Sequence, residues 1–279
     1  MRVFYLTDLN CPEAAPYFGL TRAQLKNAGE GKGLFIAESF NVIAAALEAG
    51  CEPVSFLAEE KRISRIEEAF GARLGDTPVY TSSPAVLEGI TGFALTRGVL
   101  CAMKRRPLPS VHEVLEGRRR IAVLEGLMDP TNVGAVFRSA AALGMEAVLV
   151  SSNCCDPLHR RAARVSMGAV FRVPWAILPC LADDAMSADV SVLHSLGFAT
   201  AAMTLAEDTV PVDEPALADE EKLAVLIGSE GNGLSPRTSA ACGYRVKIPM
   251  ENGVESLNAA AAAAVAFWVL GAKGRKTGR

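Results

Sequence analysis

Short runs of consecutive apolar residues alternate along this chain with stretches whose apolar positions recur at helical spacing. In the first third, the pattern predicts a helix over 38–49 stopped by Gly50 and a strand over 53–57. A second helix follows over 63–71, then a strand over 77–83. The next helix is opened by Ser83 with Pro84 in its first turn, and a strand over 97–104 closes the set. Residues 1–20 carry only scattered turn signals such as Asn10 and Pro12. KRRPLPSVHEVLEGRRR, residues 104–120, breaks the rhythm with two prolines and a dense basic composition. We therefore place a linker over 107–119, between an N-terminal domain over 1–106 and a C-terminal domain over 120–279.

Beyond the linker, RIAVLEGL at 120–127 is the near-continuous apolar run expected of a strand buried on both faces. A loop and a helix stopped by Gly144 come next, then a strand over 146–152, a helix over 160–170, and an extended segment over 171–177. A helix over 190–197 leads to a strand over 198–204. An acidic loop follows at 206–221, and another buried strand at 222–230. The last unit, 245–271, is a strand ending at Ile248 and Pro249, a polar loop, and a helix opened by Ser256 and packed with six alanines. Strands alternating with helices in this order predict an α/β fold with a mostly parallel sheet, preceded by a smaller α/β domain.

Composition narrows the picture. Half of the residues are hydrophobic and 21% are charged, as a packed core requires. The most apolar run, 258–272, is mostly alanine and shorter than the roughly 20 residues that span a bilayer, so no membrane partner is expected. MRVFYLTDLN lacks a secretion signal, which predicts a cytoplasmic protein. Seven scattered cysteines without a C-x-x-C pair, and three isolated histidines, predict reduced thiols and no metal site. The Cys154-Cys155 pair reads either as a reactive thiol or as small hydrophobes at a strand end. The net charge is −3, yet the chain segregates its charge: 104–120 carries a local balance of +4 and 156–175 one of +3, while acid gathers at 207–221. Such segregation suits one face for a polyanion and another turned away from it, although each cluster alone also reads as a solvated face.

In a parallel sheet, ligands gather at the loops outside the carboxyl ends of the strands. Three loops there are rich in glycine, asparagine, serine and acid: DPTNVGAVFR at 129–138, IGSEGNGLS at 227–235, and IPMENGVESLN at 248–258. In this order and in one domain they resemble the three signature motifs of the SpoU (TrmH-like) RNA methyltransferases, a branch of the SPOUT superfamily. VSMGAVFRVP at 165–174 resembles the segment those proteins carry between the first two motifs, and residues 34–103 resemble the small RNA substrate-binding domain, similar to ribosomal protein L30e, that precedes many of their catalytic domains.

The resemblance implies a C-terminal trefoil knot, S-adenosylmethionine held by the knotted loops, and a homodimer whose active sites use both subunits. It also assigns residues. Arg138 is the central catalytic group; a guanidinium that stays protonated suits an oxyanion stabiliser better than a base. Asn132 reads as a helix cap, a substrate contact, or both. Glu230 either fixes the motif loops by accepting backbone N–H bonds or acts on the substrate, and Ser256 or Asn258 helps place the reacting groups. Gly228, Gly231, Ile248, Met250 and Leu257 match the positions that line the cofactor pocket, where backbone groups read adenine. The RNA partner is expected along Arg160, Arg161, Arg164 and Arg172, and along Lys104, Arg105 and Arg106. The function implied is methyl transfer from S-adenosylmethionine to a ribose 2′-hydroxyl of structured RNA. The alternative is an RNA-binding or assembly protein that keeps the fold without methylating; a dinucleotide enzyme is disfavoured because no G-x-G-x-x-G follows the first strand.

Overall fold

The computed structural model describes residues 1–8, 11–19 and 33–272, and the basic tail at 273–279 lies outside the described residues. Two compact units emerge. The first comprises 1–107 with 158–171, and the second 108–157 with 172–279.

The first unit contains β1 (Arg2–Tyr5), β2 (Leu34–Glu38), α1 (Phe40–Glu48), β3 (Pro53–Glu59), α2 (Ile63–Leu74), β4 (Pro78–Ser82), α3 (Pro84–Thr91) and β5 (Val99–Lys104). They build a mixed sheet of order β1-β4-β3-β5-β2, in which β4 pairs parallel to both neighbours and β5 antiparallel to both of its own. The expected helices and strands between 34 and 104 are present, with α2 running through Gly71 to Leu74 because Phe70 and Leu74 extend its buried stripe. The N-terminal segment departs from expectation. RVFY forms an exposed edge strand, whose lack of a buried face left no alternation to read. Pro12–Tyr17 is a 3-10 turn that buries Tyr17 completely. Its hydroxyl bonds to the Ser55 carbonyl at 2.7 Å and accepts from the Ala102 amide at 3.2 Å, as a buried phenol must.

In the second unit, residues expected to link the domains form α4 (Val111–Leu115), closed by a reciprocal capping box between Ser110 and Glu113. Val111, Val114 and Leu115 are buried in the same core as Ile121, Val123 and Leu149, so this stretch belongs to the unit rather than leading into it. The unit continues through β6 (Arg120–Leu124), α5 (Pro130–Leu143) and β7 (Ala147–Ser151). The chain then returns to the first unit for α6 (Arg160–Val165). This helix is shorter than expected because Met167 and Gly168 take positive φ values and end it. The remaining elements are β8 (Trp175–Leu178), β9 (Cys180–Leu181), β10 (Asp184–Ala188), α7 (Ser191–Ser195), β11 (Ala199–Met203), β12 (Val210–Pro211), α8 (Pro215–Asp219), β13 (Leu223–Ile227), α9 (Pro236–Ala241), β14 (Tyr244–Lys247) and α10 (Ala259–Leu270).

Among the described residues, seven of these strands pair in the order β12-β14-β11-β13-β6-β7-β8, every pair parallel. β6, β7 and β13 are buried along their whole length, as their unbroken apolar runs predict. α10 packs along α5, and its alanines and glycine allow the approach. A Cβ on Gly271 would lie 2.1 Å from the Leu143 carbonyl oxygen, so only glycine fits where the two helices end together.

Candidate active site

The parallel register brings the carboxyl ends of β6, β11, β13 and β14 to one edge, and the three motif loops leave from there. The loop after β13 closes on itself: the Ser229 and Gly233 backbones exchange hydrogen bonds of 3.0 and 2.9 Å. A Cβ on Gly228 would lie 2.1 Å from the Gly233 carbonyl carbon, so this turn admits no other residue without moving.

Three polar side chains join the motifs. Asn132, buried in the first turn of α5, donates to Glu230 Oε1 at 2.6 Å. Asn258 Nδ2 donates to the same carboxylate oxygen and to Asn132 Oδ1 at 3.2 Å. Asn258 Oδ1 meanwhile accepts from the amides of Ala260 and Ala261, capping α10. Glu230 thus fixes the loops, by accepting from side-chain amides instead of backbone N–H groups. Two expected caps are also reassigned. Asp129 caps α5 through the Thr131 amide, leaving Asn132 free to point across the motifs. Ser256 does not open α10; Asn258 does, because the loop stays extended two residues longer.

Two cavities flank this triad. One, of about 480 Å³, is lined by Gly228, Glu230, Gly231, Ile248, Met250, Ser256 and Leu257, together with Met203 to Ala206 and Lys247. All five residues expected at a cofactor pocket meet there. The other, of about 540 Å³, lies between the 125–129 turn and the 229–236 loop, with Asn132 and Met186 in its wall. Arg138 lines neither cavity. It projects, exposed, from α5 two turns beyond the α5 N-terminus, with no hydrogen bond or ion pair among the described residues.

The framework under the site includes a residue the sequence reading passed over. Glu125, 2% exposed, accepts from the Ser235 amide at 2.6 Å, the Ala188 amide at 2.7 Å and the Thr238 hydroxyl at 2.5 Å. A carboxylate inside an apolar run was the available signal, since a buried charge demands partners. Cys154 donates to the Leu124 carbonyl, and burial holds its thiol above the ordinary range, which makes it structural rather than reactive. Among the described residues no cluster of metal-ligating side chains occurs, and none of the seven cysteines is in a disulfide.

The basic residues expected along RNA divide. Arg160 and Arg164, on the α6 segment that packs in the first unit, both pair with buried Glu38, Arg164 at 3.1 Å. Arg160 also stacks over Phe93 at 4.3 Å, and burial lowers its pKa against the pull of Glu38. They tie α6 to β2, where sequence separation hid the partner. Arg161 and Arg172 are exposed. Lys104 pairs with Glu52 at 2.7 Å, while Arg105 and Arg106 donate to the carbonyls of Leu34 and Ala49.

Residues 119–268 match the family model described as the SpoU rRNA Methylase family. The chain belongs to this family. As such it is an RNA methyltransferase. An uncharacterized tRNA/rRNA methyltransferase of Mycobacterium bovis is 39% identical over 239 residues, spanning 85% of this chain and 81% of the relative. The crystal structure of an AdoMet-bound rRNA methyltransferase from Sinorhizobium meliloti shares the fold with a TM-score of 0.79 at 22% identity, covering 96% of this chain and 97% of that one. A crystal structure of an RNA 2′-O ribose methyltransferase matches with a TM-score of 0.70 at 26% identity, over 96% and 98% of the two chains. The matched range contains the three loops joined by Asn132, Glu230 and Asn258. Among the described residues, no helix is long and apolar enough to cross a membrane.

Proposed function

We propose that the protein transfers a methyl group from S-adenosylmethionine to a ribose 2′-hydroxyl of structured RNA. The observation that carries this reading is the convergence of three motif loops on one hydrogen-bonded triad, with a cavity of about 480 Å³ on one side and one of about 540 Å³ on the other. The cavity lined by Gly228, Ile248, Met250 and Leu257 fits the cofactor. It sets apolar side chains such as Ile248, Met250 and Leu257 beside polar ones such as Thr204, Glu230 and Ser256, and pockets for small organic ligands likewise place polar groups within apolar walls. Bound there, S-adenosylmethionine supplies an electrophilic methyl group on a sulfonium. Gly228 and Gly231 would let backbone amides and carbonyls face the ligand, and Ile248 and Leu257 would offer apolar surface to its base. The S. meliloti relative, crystallised with AdoMet, and the 2′-O ribose methyltransferase of the same fold support the assignment.

Asn132, Glu230 and Asn258 hold the loops in register, and Glu230 borders both cavities. Arg138, without a competing partner, is available to grip the phosphate beside the target ribose and to stabilise the oxygen as it becomes anionic. The proton then passes to that phosphate rather than to the arginine, since a guanidinium offers donors and no acceptor. Exposed Arg161 and Arg172 extend the contact with RNA. Trp268 and Val265, both exposed on α10, give that helix an apolar face for a second copy of the chain. We read the protein as a cytoplasmic homodimer and the passage over 249–258 as the closing segment of the knot.

Incubating purified protein with methyl-labelled S-adenosylmethionine and total RNA from a strain lacking the gene tests the reading. The label is expected in RNA as 2′-O-methyl nucleotides, and Arg138→Ala is expected to lower incorporation at least about 100-fold. Label in no RNA, with intact cofactor binding, would leave a non-catalytic RNA-binding protein. Sedimentation at micromolar concentration is expected to show a dimer.

A further inference from the structure

A third cavity lies in the first unit, far in sequence from the three motif loops. It measures about 230 Å³ and is lined by Ser39, Phe40, Asn41, Arg62, Arg65 and Arg97. Three guanidinium-bearing side chains line it and no carboxylate does; Glu59, outside the lining, pairs with Arg62 Nε at 3.9 Å and with Lys61 at 3.1 Å. Phe40 and Asn41 are the first two residues of α1, a helix of nine residues whose first-turn amides have no side-chain cap. Uncapped amides at a helix N-terminus present partial positive charge.

Two buried polar groups point the same way. Ser39 is only 8% exposed, and its hydroxyl has no hydrogen-bond partner; Arg62 Nε is a buried atom that also lacks a hydrogen bond, its ion pair with Glu59 being longer than one. Leaving such donors unmet is costly, and native proteins rarely do so without a ligand or water to meet them. Ser39 also holds φ at 88°, a region that disfavours every residue with a side chain, so the chain strains to keep this hydroxyl at the mouth of the helix. Arg65 lies over the Phe40 ring at 4.2 Å, which sets its guanidinium in place beside the helix end.

We propose that this cavity is a phosphate-binding site, in which one tetrahedral oxyanion accepts from the amides of Phe40 and Asn41, the Ser39 hydroxyl and the guanidinium groups of Arg62 and Arg97. The phosphate is either one group of an RNA backbone or a free phosphate, and the two are separated by experiment. Binding here requires neither cofactor nor methyl transfer, so the site stands or falls apart from the activity assigned to the second unit.

Full-length, isotope-labelled protein titrated with inorganic phosphate, at ionic strength held constant with chloride, provides the test. Saturable shifts of the Phe40 and Asn41 amide signals are expected, and Arg62→Gln with Arg97→Gln is expected to weaken binding at least about tenfold. Ser39→Gly removes the hydroxyl while relieving the strained φ; it is expected to weaken phosphate binding without lowering the melting temperature, which separates lost ligation from lost folding. In a parallel arm, affinity for an RNA hairpin is followed against salt. A slope shallower by about 0.7 to 0.9 in the double variant assigns the phosphate to the RNA backbone. An unchanged slope with lost phosphate binding assigns a free phosphate group. Shifts that do not saturate, or that are equal in wild type and the double variant, overturn the proposal.

Discussion

Single atoms decide much at the motif loops. Gly228 shows this most directly: a methyl group there would sit 2.1 Å from the backbone of Gly233, inside the clasp that shapes the cavity we propose for the cofactor. Gly228→Ala is expected to cost about 1 to 3 kcal/mol by overpacking and to abolish S-adenosylmethionine binding by calorimetry. Glu125 acts through its carboxylate oxygens, which hold Ser235, Thr238 and Ala188 around the end of β6. Glu125→Gln keeps the volume but turns an acceptor into a donor facing donors. We expect a loss of more than about 2 kcal/mol in urea unfolding, with RNA methylation falling in step as the 229–236 loop loses its anchor.

At the scale of elements, the informative contrast is between Ser256 and Asn258. Both precede α10, and both are good capping residue types, but only Asn258 accepts from the helix amides and reaches the triad. Asn258→Ala is expected to destabilise the protein by about 1 kcal/mol or more, whereas Ser256→Ala leaves thermal stability unchanged. Equal effects from the two would contradict the cap assignment. α6 teaches a related lesson: its arginines read as a basic strip, yet Glu38 takes up two of them. A helix that pairs its charges with a strand more than 120 residues earlier cannot be told by spacing from one that offers them to RNA.

For the whole molecule, the buried acids of the core make stability fall in alkali. Burial pushes the Cys242 thiol up to about 11 and raises Cys101, Cys154 and Tyr17 as well. In the unfolded chain a thiol gives up its proton near pH 9. Between pH 9 and about 11 the unfolded state therefore binds fewer protons than the folded one, and stability drops as pH rises. Cys242 alone accounts for roughly 3 kcal/mol, and Cys242→Ala is expected to flatten the decline in chemical unfolding measured from pH 8 to 11. The pattern of apolar runs determined the α/β class, the parallel sheet and most element positions, because buried parallel strands and amphipathic helices write their burial into local periodicity. The three motifs likewise disclosed which loops matter, since glycine, asparagine and acid cluster where backbone must bend around a ligand. Tertiary structure alone decided that 111–115 joins the second core, that α6 returns to the first unit, and which residues cap, clasp and pair. Those outcomes depend on contacts such as Glu230 with Asn132 and Asn258, or Glu125 with Ser235, between residues separated by 28 to 110 positions. No local pattern carries the identity of a partner that distant; only the folded register of the strands brings the pair within hydrogen-bonding reach.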